Sequence, residues 1–291
     1  MEKVRIAVIS DIHSNLAALE ACIDDSKMLG VDRYIVLGDI ISDWHKPNEC
    51  INIVRELTDL VIAGNREQYM KDAPGMLDYW ILYDQYASLL WTYRQLTSKN
   101  LMYIRKLPDC LSIATNKYSI RAVHGSPFSQ SELCYKSGGL TPVGEWLDAI
   151  NEDILLCGHS HEQWKWEKNG KIAVNPGSCG SHFNKRCCAE YAILELSDVV
   201  NVQMRQVKYN VQLNFQSLMR SDLYEKAYDW VLINYLAMVK GENEVAHFLN
   251  ECETERKKDE FAGSGPIPND IYNRVFEEKF SEKIKAYLFS S

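Results

Sequence analysis

The sequence predicts an α/β protein with a mixed, sandwich-like sheet core, a helical insertion and a C-terminal helical extension. Three observations carry this. Short apolar runs bounded by turn residues alternate with stretches of helical periodicity early in the chain; two later runs alternate apolar and polar residues; strand signals vanish after about residue 210.

Taken in order, Val4–Ser10 reads as a buried strand. In "NLAALEACIDDSKMLG", Leu16, Leu19 and Ile23 recur at helical spacing before Gly30, and Tyr34–Leu37 is the next strand. "PNECINIVREL" supplies a second helix leading to a strand at Leu60–Ala63, so the first third predicts parallel strands joined by right-handed crossovers. Residues 72–107, rich in aromatics ("YWILYDQYASLLWTYRQL"), read as a helical insertion that stops at Pro108. Strands resume at Ser119–Val123, Ile154–Cys157 and Ile172–Asn175. "AEYAILEL" and "VVNVQMRQVKY" then suggest an antiparallel pair, which makes the sheet region mixed. Beyond it, "FQSLMRSDLYEKAYDWVLINYLAMVKGENEVAHFLNECETERKKDE" is helix-like and "GSGPIP" breaks it. "NDIYNRVFEEKFSEKIKAYLF" resumes, with Ile271, Val275, Ile284 and Leu288 among its apolar positions. The chain thus divides into a unit over 1–215 and an extension over 216–291, whose stripes read as packing or associating surfaces.

At 291 residues with 46% hydrophobic content the chain can bury a substantial core, and disorder is disfavoured. A formal charge of −8 argues against a broad nucleic-acid footprint, so a compact anionic substrate would need a local positive device. No stretch reaches about 18 uninterrupted apolar residues and no secretory h-region opens the chain, which disfavours a membrane span and secretion. Nine scattered cysteines without a CxxC pair fit reduced thiols in a cytoplasmic setting.

Metal-capable residues fall where the apolar runs end: Asp11 and His13, Asp39, Asn65, His124, then His159 and His161. In open α/β sheets the C-terminal strand ends share one edge, where ligands bind. Residues i and i+2 of an extended segment face one side, so Asp11 with His13, and His159 with His161, can aim at one point. Gly38, Gly64, Gly125 and Gly158 flank these donors and permit close backbone approach. Seven donors exceed what one tetrahedral zinc takes, whereas two metals sharing a bridging carboxylate would use them all. Mixed imidazole and carboxylate donors suit divalent or trivalent Mn, Fe, Zn, Ni or Co. His45, His182 and His247 lie outside the pattern. Ser14 and Asn15 open a helix after the first pair, either as caps or with backbone N–H groups free for an anion. Tyr79, Trp80 and Trp91 could stack on a base, although their helical spacing reads first as core.

These residues resemble a known family. "SDIHSNLAALEA", "GDI", "GN", "VHG" and "GHSH" are similar, in order, to the motifs of the calcineurin-like metallophosphoesterases. "NPGS" at Asn175–Ser178 and "WTYRQLTSKNLMYIRKLP" are similar to segments of the small bacterial phosphodiesterase branch. The resemblance covers roughly residues 4 to 210 and has no counterpart for the tail. It implies a four-layer αββα sandwich and a dinuclear site, with Asp11, His13 and His161 on one metal, Asn65, His124 and His159 on the other, and Asp39 bridging. Many relatives follow the Asn with a His that protonates the leaving group or stabilises the transition state. Here Arg66 stands in that place, followed by Glu67. Arginine stays charged and is no general acid at neutral pH, so Arg66 would clamp a phosphoryl oxygen or pair with Glu67.

The resulting expectation is hydrolysis of a phosphomonoester or phosphodiester, with nucleotides among the candidates, by a metal-bridging hydroxide, with Asp39, Asn65 and Arg66 at the reacting centre. Other substrates within the class are a phosphoprotein, weakened by the Arg66 departure, or a dinucleoside polyphosphate. A metal-holding scaffold that binds a protein partner through its C-terminal helices is the non-enzymatic alternative.

Overall fold

The computed structural model of the chain describes residues 3–258 and 265–289. It begins β1 (Val4–Ile9), α1 (Leu16–Met28), β2 (Arg33–Val36), α2 (Pro47–Leu57). The helical insertion follows as α3 (Asn65–Leu82), a single 3-10 turn, α4 (Ala87–Gln95) and α5 (Ser98–Lys106). Then come β3 (Cys110–Ala114), β4 (Ser119–Val123), α6 (Thr141–Ala149), β5 (Ile154–Leu156), β6 (Gln163–Lys168), β7 (Lys171–Pro176), β8 (Cys188–Leu196) and β9 (Val200–Lys208). The C-terminal helices are α7 (Val211–Met219), α8 (Asp222–Lys226), α9 (Tyr228–Lys240), α10 (Glu244–Arg256), α11 (Asn269–Lys279) and α12 (Ser281–Phe289).

Two sheets stack, one ordered β2-β1-β8-β9 and the other β3-β4-β5-β7-β6. β1 pairs parallel with β2 and antiparallel with β8, and β4, β5 and β7 run parallel, so both sheets are mixed. Alternation along β1 shows how the layers form. Ile6 and Val8 face the other sheet, meeting Ile120, Ile154 and Val174, while Ala7 and Ile9 face α1 and α2. Both faces are buried, which is why the strand reads as an unbroken apolar run. Helix α6 covers the far side of the second sheet through Trp146 and Leu147, completing the αββα sandwich.

Several elements differ from the sequence expectation. The strand expected at Leu60–Ala63 is reduced to one bridge, Val36 to Val61, because Ala63 bonds the Pro108 carbonyl and the chain turns into α3 at Asn65. The insertion therefore starts at Asn65 rather than 72, and Pro74–Gly75 is carried inside the helix. β3 and β6 were not legible as strands. β8 and β9 form the expected antiparallel pair. All nine cysteines are free, and among the described residues no helix is long and apolar enough to cross a membrane.

The C-terminal helices build their own core. In α9 every residue from Trp230 to Met238 is buried, the signature of a helix enclosed on all sides, and Gly241 closes it in the left-handed conformation. Phe248, Tyr272 and Phe280 pack edge to face around it. The same cluster takes in Trp44 from the loop after β2 and Trp91 from α4, so these helices sit on the strand-end loops and the insertion. Helix α7 crosses position 215, and its Phe215 and Leu218 belong to that cluster. Residues 263–264 of the expected "GSGPIP" break lie outside the described residues.

Candidate metal centre

All seven predicted donors meet at the strand-end edge. They form two groups, Asp11, His13 and His161, and Asp39, His124 and His159, each with its donor atoms within 4.8 Å of one another. His161 Nε2 lies 3.3 Å from Asp11 Oδ1, and His124 Nε2 lies 3.5 Å from Asp39 Oδ2. His13 Nε2 stands 3.9 Å from Asp11 and 3.8 Å from Asp39, so it joins the two groups. Asn65 Oδ1 is 3.1 Å from His124 Nε2.

The means of convergence differs from the expectation of extended segments. Asp11, His13, Asp39, His159 and His161 all have positive φ, between 49° and 64°. Left-handed backbone is sparsely populated by residues with a Cβ, and Asp and His are among those that tolerate it best. Five such residues around one point mean that the loops fold back sharply, and the surrounding structure must hold them there. Gly38 and Gly64 make that possible for the Asp39 loop. A Cβ on Gly38 would sit 2.2 Å from the Gly64 nitrogen, and one on Gly64 would sit 2.2 Å from Asp39 Oδ1.

The chemistry of the donor set fits metal ions. His124 Nδ1 lies 2.7 Å from the Leu37 carbonyl and His161 Nδ1 lies 2.6 Å from the Ser181 carbonyl. A carbonyl only accepts, so both rings carry a proton on Nδ1 and turn Nε2 toward the centre. There, His161 Nε2 faces His13 Nε2 at 3.1 Å, and His124 Nε2 faces the Asn65 amide oxygen. Asp11 Oδ1 is fully buried and has no hydrogen-bond partner. Imidazole nitrogens turned toward one another and toward an amide oxygen, with a buried orphan carboxylate oxygen among them, suit cations between them.

The electrostatics agree. Burial pushes the Asp11 and Asp39 carboxyls up, but the neighbouring imidazoles outweigh it, holding Asp11 well below the usual range and Asp39 at about 2. Burial likewise depresses His124, yet Asp39 and Asp11 carry it up to about 10. This negative field is what bound dications would neutralise. His159 is driven down to about 4 by burial and by the charge of His124, which keeps it a neutral ligand.

Three residues have supporting roles that the sequence reading did not assign, and one of them, Asp43, was missed altogether. Asp43 Oδ2 lies 2.9 Å from His13 Nδ1, off the line of a straight hydrogen bond, and 3.2 Å from Arg66 Nη2. Its Oδ1 accepts from Trp230 Nε1 at 2.8 Å. Glu67 accepts from the backbone N–H groups of Gly64, Asp39 and Ile40, stapling the Asp39 loop to the start of α3. Burial first, then the Asp39 charge, raises its carboxyl to about 7. Asn175 donates to the Gly158 carbonyl and Ser160 Oγ, which braces the loop bearing His159 and His161. The "NPGS" segment pointed to Asn175 and the "GNRE" stretch to Glu67, while nothing marked Asp43.

Other expectations change. Arg66 does not pair with Glu67, whose oxygens are taken by backbone; it pairs with Asp43 and lies over the Trp230 ring at 6.0 Å. The anion role of Ser14 and Asn15 is overturned, since their N–H groups bond the Ile40 and Ile12 carbonyls, and Asn15 caps α1 through Ala18. Trp80 and Trp91 are core residues, and Tyr79 is exposed away from the centre. His182, held by Tyr209 and driven down to about 3 by burial, stays outside the ligand groups.

Above the donors lies a cavity of about 230 Å³. Its floor includes His13, Asp39, Asn65, His159 and His161, and Arg66 lines one wall. The roof comes from α9 and α10, through Asn234, Val245, Ala246 and Leu249, together with Asn243 at the cap of α10. The stripes read as packing surfaces thus also place two helices over the metal floor.

Residues 4–199 match the family profile described as the calcineurin-like phosphoesterase superfamily domain. An uncharacterized protein of Methanocaldococcus jannaschii is 29% identical over 242 residues, spanning 77% of this chain and 96% of that one. Among solved structures, a metallophosphoesterase from Sphaerobacter thermophilus is 25% identical with a TM-score of 0.61, covering 78% of this chain and 99% of its own. A hypothetical protein from Pyrococcus horikoshii is 23% identical with a TM-score of 0.67, covering 80% and 98%. These relatives are matched almost end to end, and about a fifth of this chain is left over. The family match itself stops before α7.

Proposed function

The chain belongs to the calcineurin-like phosphoesterase superfamily, and on that premise we propose that it hydrolyses a small phosphomonoester or phosphodiester with two transition-metal ions. The observation that carries this is the facing pair of imidazole nitrogens at 3.1 Å beside the orphaned Asp11 oxygen. In this reading Asp11, His13 and His161 hold one ion, Asn65, His124 and His159 the other, and Asp39 bridges. Mn, Fe, Zn, Ni or Co suits the donors. Ions held there supply Lewis acidity toward the phosphoryl group and bring a water's pKa toward neutrality.

The chain's own residues do the rest. Arg66 commits one guanidinium nitrogen to Asp43, and its buried Nε–H has no partner, so it has donors left for a phosphoryl oxygen. It has no proton to give, and the leaving oxygen must take its proton from water. Asp43 and Ser181 fix the ring nitrogens of His13 and His161 that face away from the centre.

The roof favours a small substrate. A cavity of about 230 Å³ under two helices matches a small phosphoester better than a phosphoprotein surface or a dinucleoside polyphosphate. A pure scaffold would have no use for unpaired donors aimed at one point. Bracing of the His159–His161 loop by Asn175 supports reading the chain with the bacterial phosphodiesterase branch. We take 1–215 as the catalytic unit, with 216–291 as an extension that roofs it, in a cytoplasmic setting consistent with nine free cysteines.

The test is release of nitrophenol from aryl phosphoesters with Mn²⁺, before and after chelation. Turnover that needs the metal and collapses in Asp39→Asn supports the proposal. No metal-dependent turnover, with Asp39→Asn equal to wild type, overturns it.

A further inference from the structure

Arg66 and Asp43 form a partition. On one side is the metal cavity; on the other is a second chamber of about 170 Å³, which shares Asp43, Arg66 and Leu249 with it. The chamber is walled by Tyr69, Tyr86, Leu89 and Trp230, so aromatic and aliphatic surface dominates. Its polar side chains are largely occupied. Gln85 Oε1 accepts from the Ile267 N–H, and Ser88 Oγ accepts from the Asp43 N–H. A cavity of roughly 150 Å³ holds one benzene-sized ring.

The partition itself is built by the C-terminal extension. Trp230 donates to Asp43 Oδ1, Asp43 Oδ2 takes Arg66, and the guanidinium lies over the Trp230 ring. Of the five donors on that guanidinium, one is committed to protein, and Nε is buried without an acceptor. The part of the Arg66 side chain that stays exposed in the metal cavity would give its remaining donors to a phosphoryl oxygen. The organic group on the phosphorus would then be directed past Arg66 toward the aromatic chamber, which adjoins the metal cavity along Asp43, Arg66 and Leu249.

We propose that this second chamber is the leaving-group subsite, and that it takes a single planar aromatic ring attached through oxygen to the phosphorus. The proposal rests on the phosphoesterase reading above. The chemistry is consistent with it. A water oxygen bonds to phosphorus and loses a proton, the P–O bond to the ring breaks, and its electron pair stays on the departing oxygen, which is protonated from solvent. With Arg66 in place of a general acid, a leaving oxygen that spreads its charge into an aromatic ring departs without help, whereas a simple alkoxide does not. Trp230 and Tyr86 supply the faces on which the ring rests.

Two non-hydrolysable probes test it, phenylphosphonate and methylphosphonate, titrated calorimetrically into the full Mn²⁺-loaded chain. We expect phenylphosphonate to bind roughly tenfold more tightly, as contact between aromatic rings and burial of the ring allow. Tyr86→Ala narrows that ratio to within about threefold, and Tyr69→Ala, at the exposed rim, narrows it less. Because the readout is a ratio of two probes at one metal site, loss of metal or partial unfolding cancels, and Tyr69→Ala serves if Tyr86→Ala does not fold. A wild-type ratio near one, or a ratio unmoved in both variants, overturns the subsite while metal-dependent turnover leaves the phosphoesterase reading standing. Absence of binding by either phosphonate together with absence of turnover overturns that reading and the subsite with it.

Discussion

The floor of the cavity and its roof are held together by different forces. The floor is a set of loops after β1, β2, β4 and β5 in which charged and polar side chains are almost wholly buried, with five donors in left-handed backbone. It is locally costly, and cations held there would offset the cost. The roof is a helix cluster whose stability comes from apolar burial around α9 and from edge-to-face packing of Phe248 on Tyr272 and Phe280. The floor carries reactivity at the expense of intrinsic stability; the roof carries stability and shapes access. Trp230, a roof residue bonded to Asp43 of the floor, is where they are coupled.

The sharpest way to break this division is at the floor. Asp39→Asn removes the carboxylate that both groups approach, and we expect turnover to fall on the order of a thousandfold, several kcal/mol of lost charge stabilisation. The neighbouring imidazoles hold Asp39 at about 2, so its charge stabilises the metal-free fold above that pH, and the apoprotein should melt lower in Asp39→Asn at pH 7. An unchanged or higher melting point would mean that the imidazoles do not hold the Asp39 charge in the absence of metal.

Next comes the roof. Phe248→Ala opens a cavity in a fully buried aromatic cluster and should cost about 3 kcal/mol in urea denaturation. Metal content of the folded fraction stays unchanged and kcat/KM drops. Turnover at the wild-type level would show the roof to be a bystander.

Asp43→Asn probes the joint. It keeps the shape but weakens the contacts to His13, Arg66 and Trp230, so metal affinity should fall about tenfold to a hundredfold. Equilibrium dialysis against a buffered metal measures it, and an unchanged affinity would separate Asp43 from the centre.

The smallest expected effect concerns Glu190 in β8, 3% exposed beneath the Gly177 turn. Burial raises its carboxyl to about 7 against the hydrogen bond from Gln206. Between its ordinary value of 4.5 and 7, the folded chain keeps a proton that the unfolded chain has released, so stability falls as pH rises through that window. Glu190→Gln should therefore stabilise the fold at pH 8, by on the order of 2 kcal/mol or less and visible as a higher Tm, and leave Tm unchanged at pH 4. An equal Tm difference at both pH values would refute the assignment.

Much of the floor was legible in the chain because its signal is local. Each donor directly follows an apolar run, and glycine marks where the backbone must come close, so Asp11, His13, Asp39, Asn65, His124, His159 and His161 could be picked out as one set. The strands buried on both faces were legible for the same reason. β3 and β6 were not, since their burial is irregular and their pairing depends on partners elsewhere in the chain. The local mechanism of convergence was also misread: positive φ, rather than extended alternation, aims the paired donors.

Asp43, Glu67 and the roof show the limit most plainly. A single aspartate four residues after Asp39 has no periodicity to mark it, and its function depends on Trp230, 187 residues away. The unbroken apolar run of α9 specifies that it is enclosed by other elements, but many partners would satisfy an apolar surface equally well. The sequence by itself determined which atoms could bind metal and which segments would be strands or helices, because donor chemistry and hydrophobic period are properties of short stretches. Only the tertiary structure decided that the last helices close over the metal floor and that Arg66 turns to Asp43 rather than to Glu67, because those outcomes depend on long-range packing and on which buried donor reaches which acceptor.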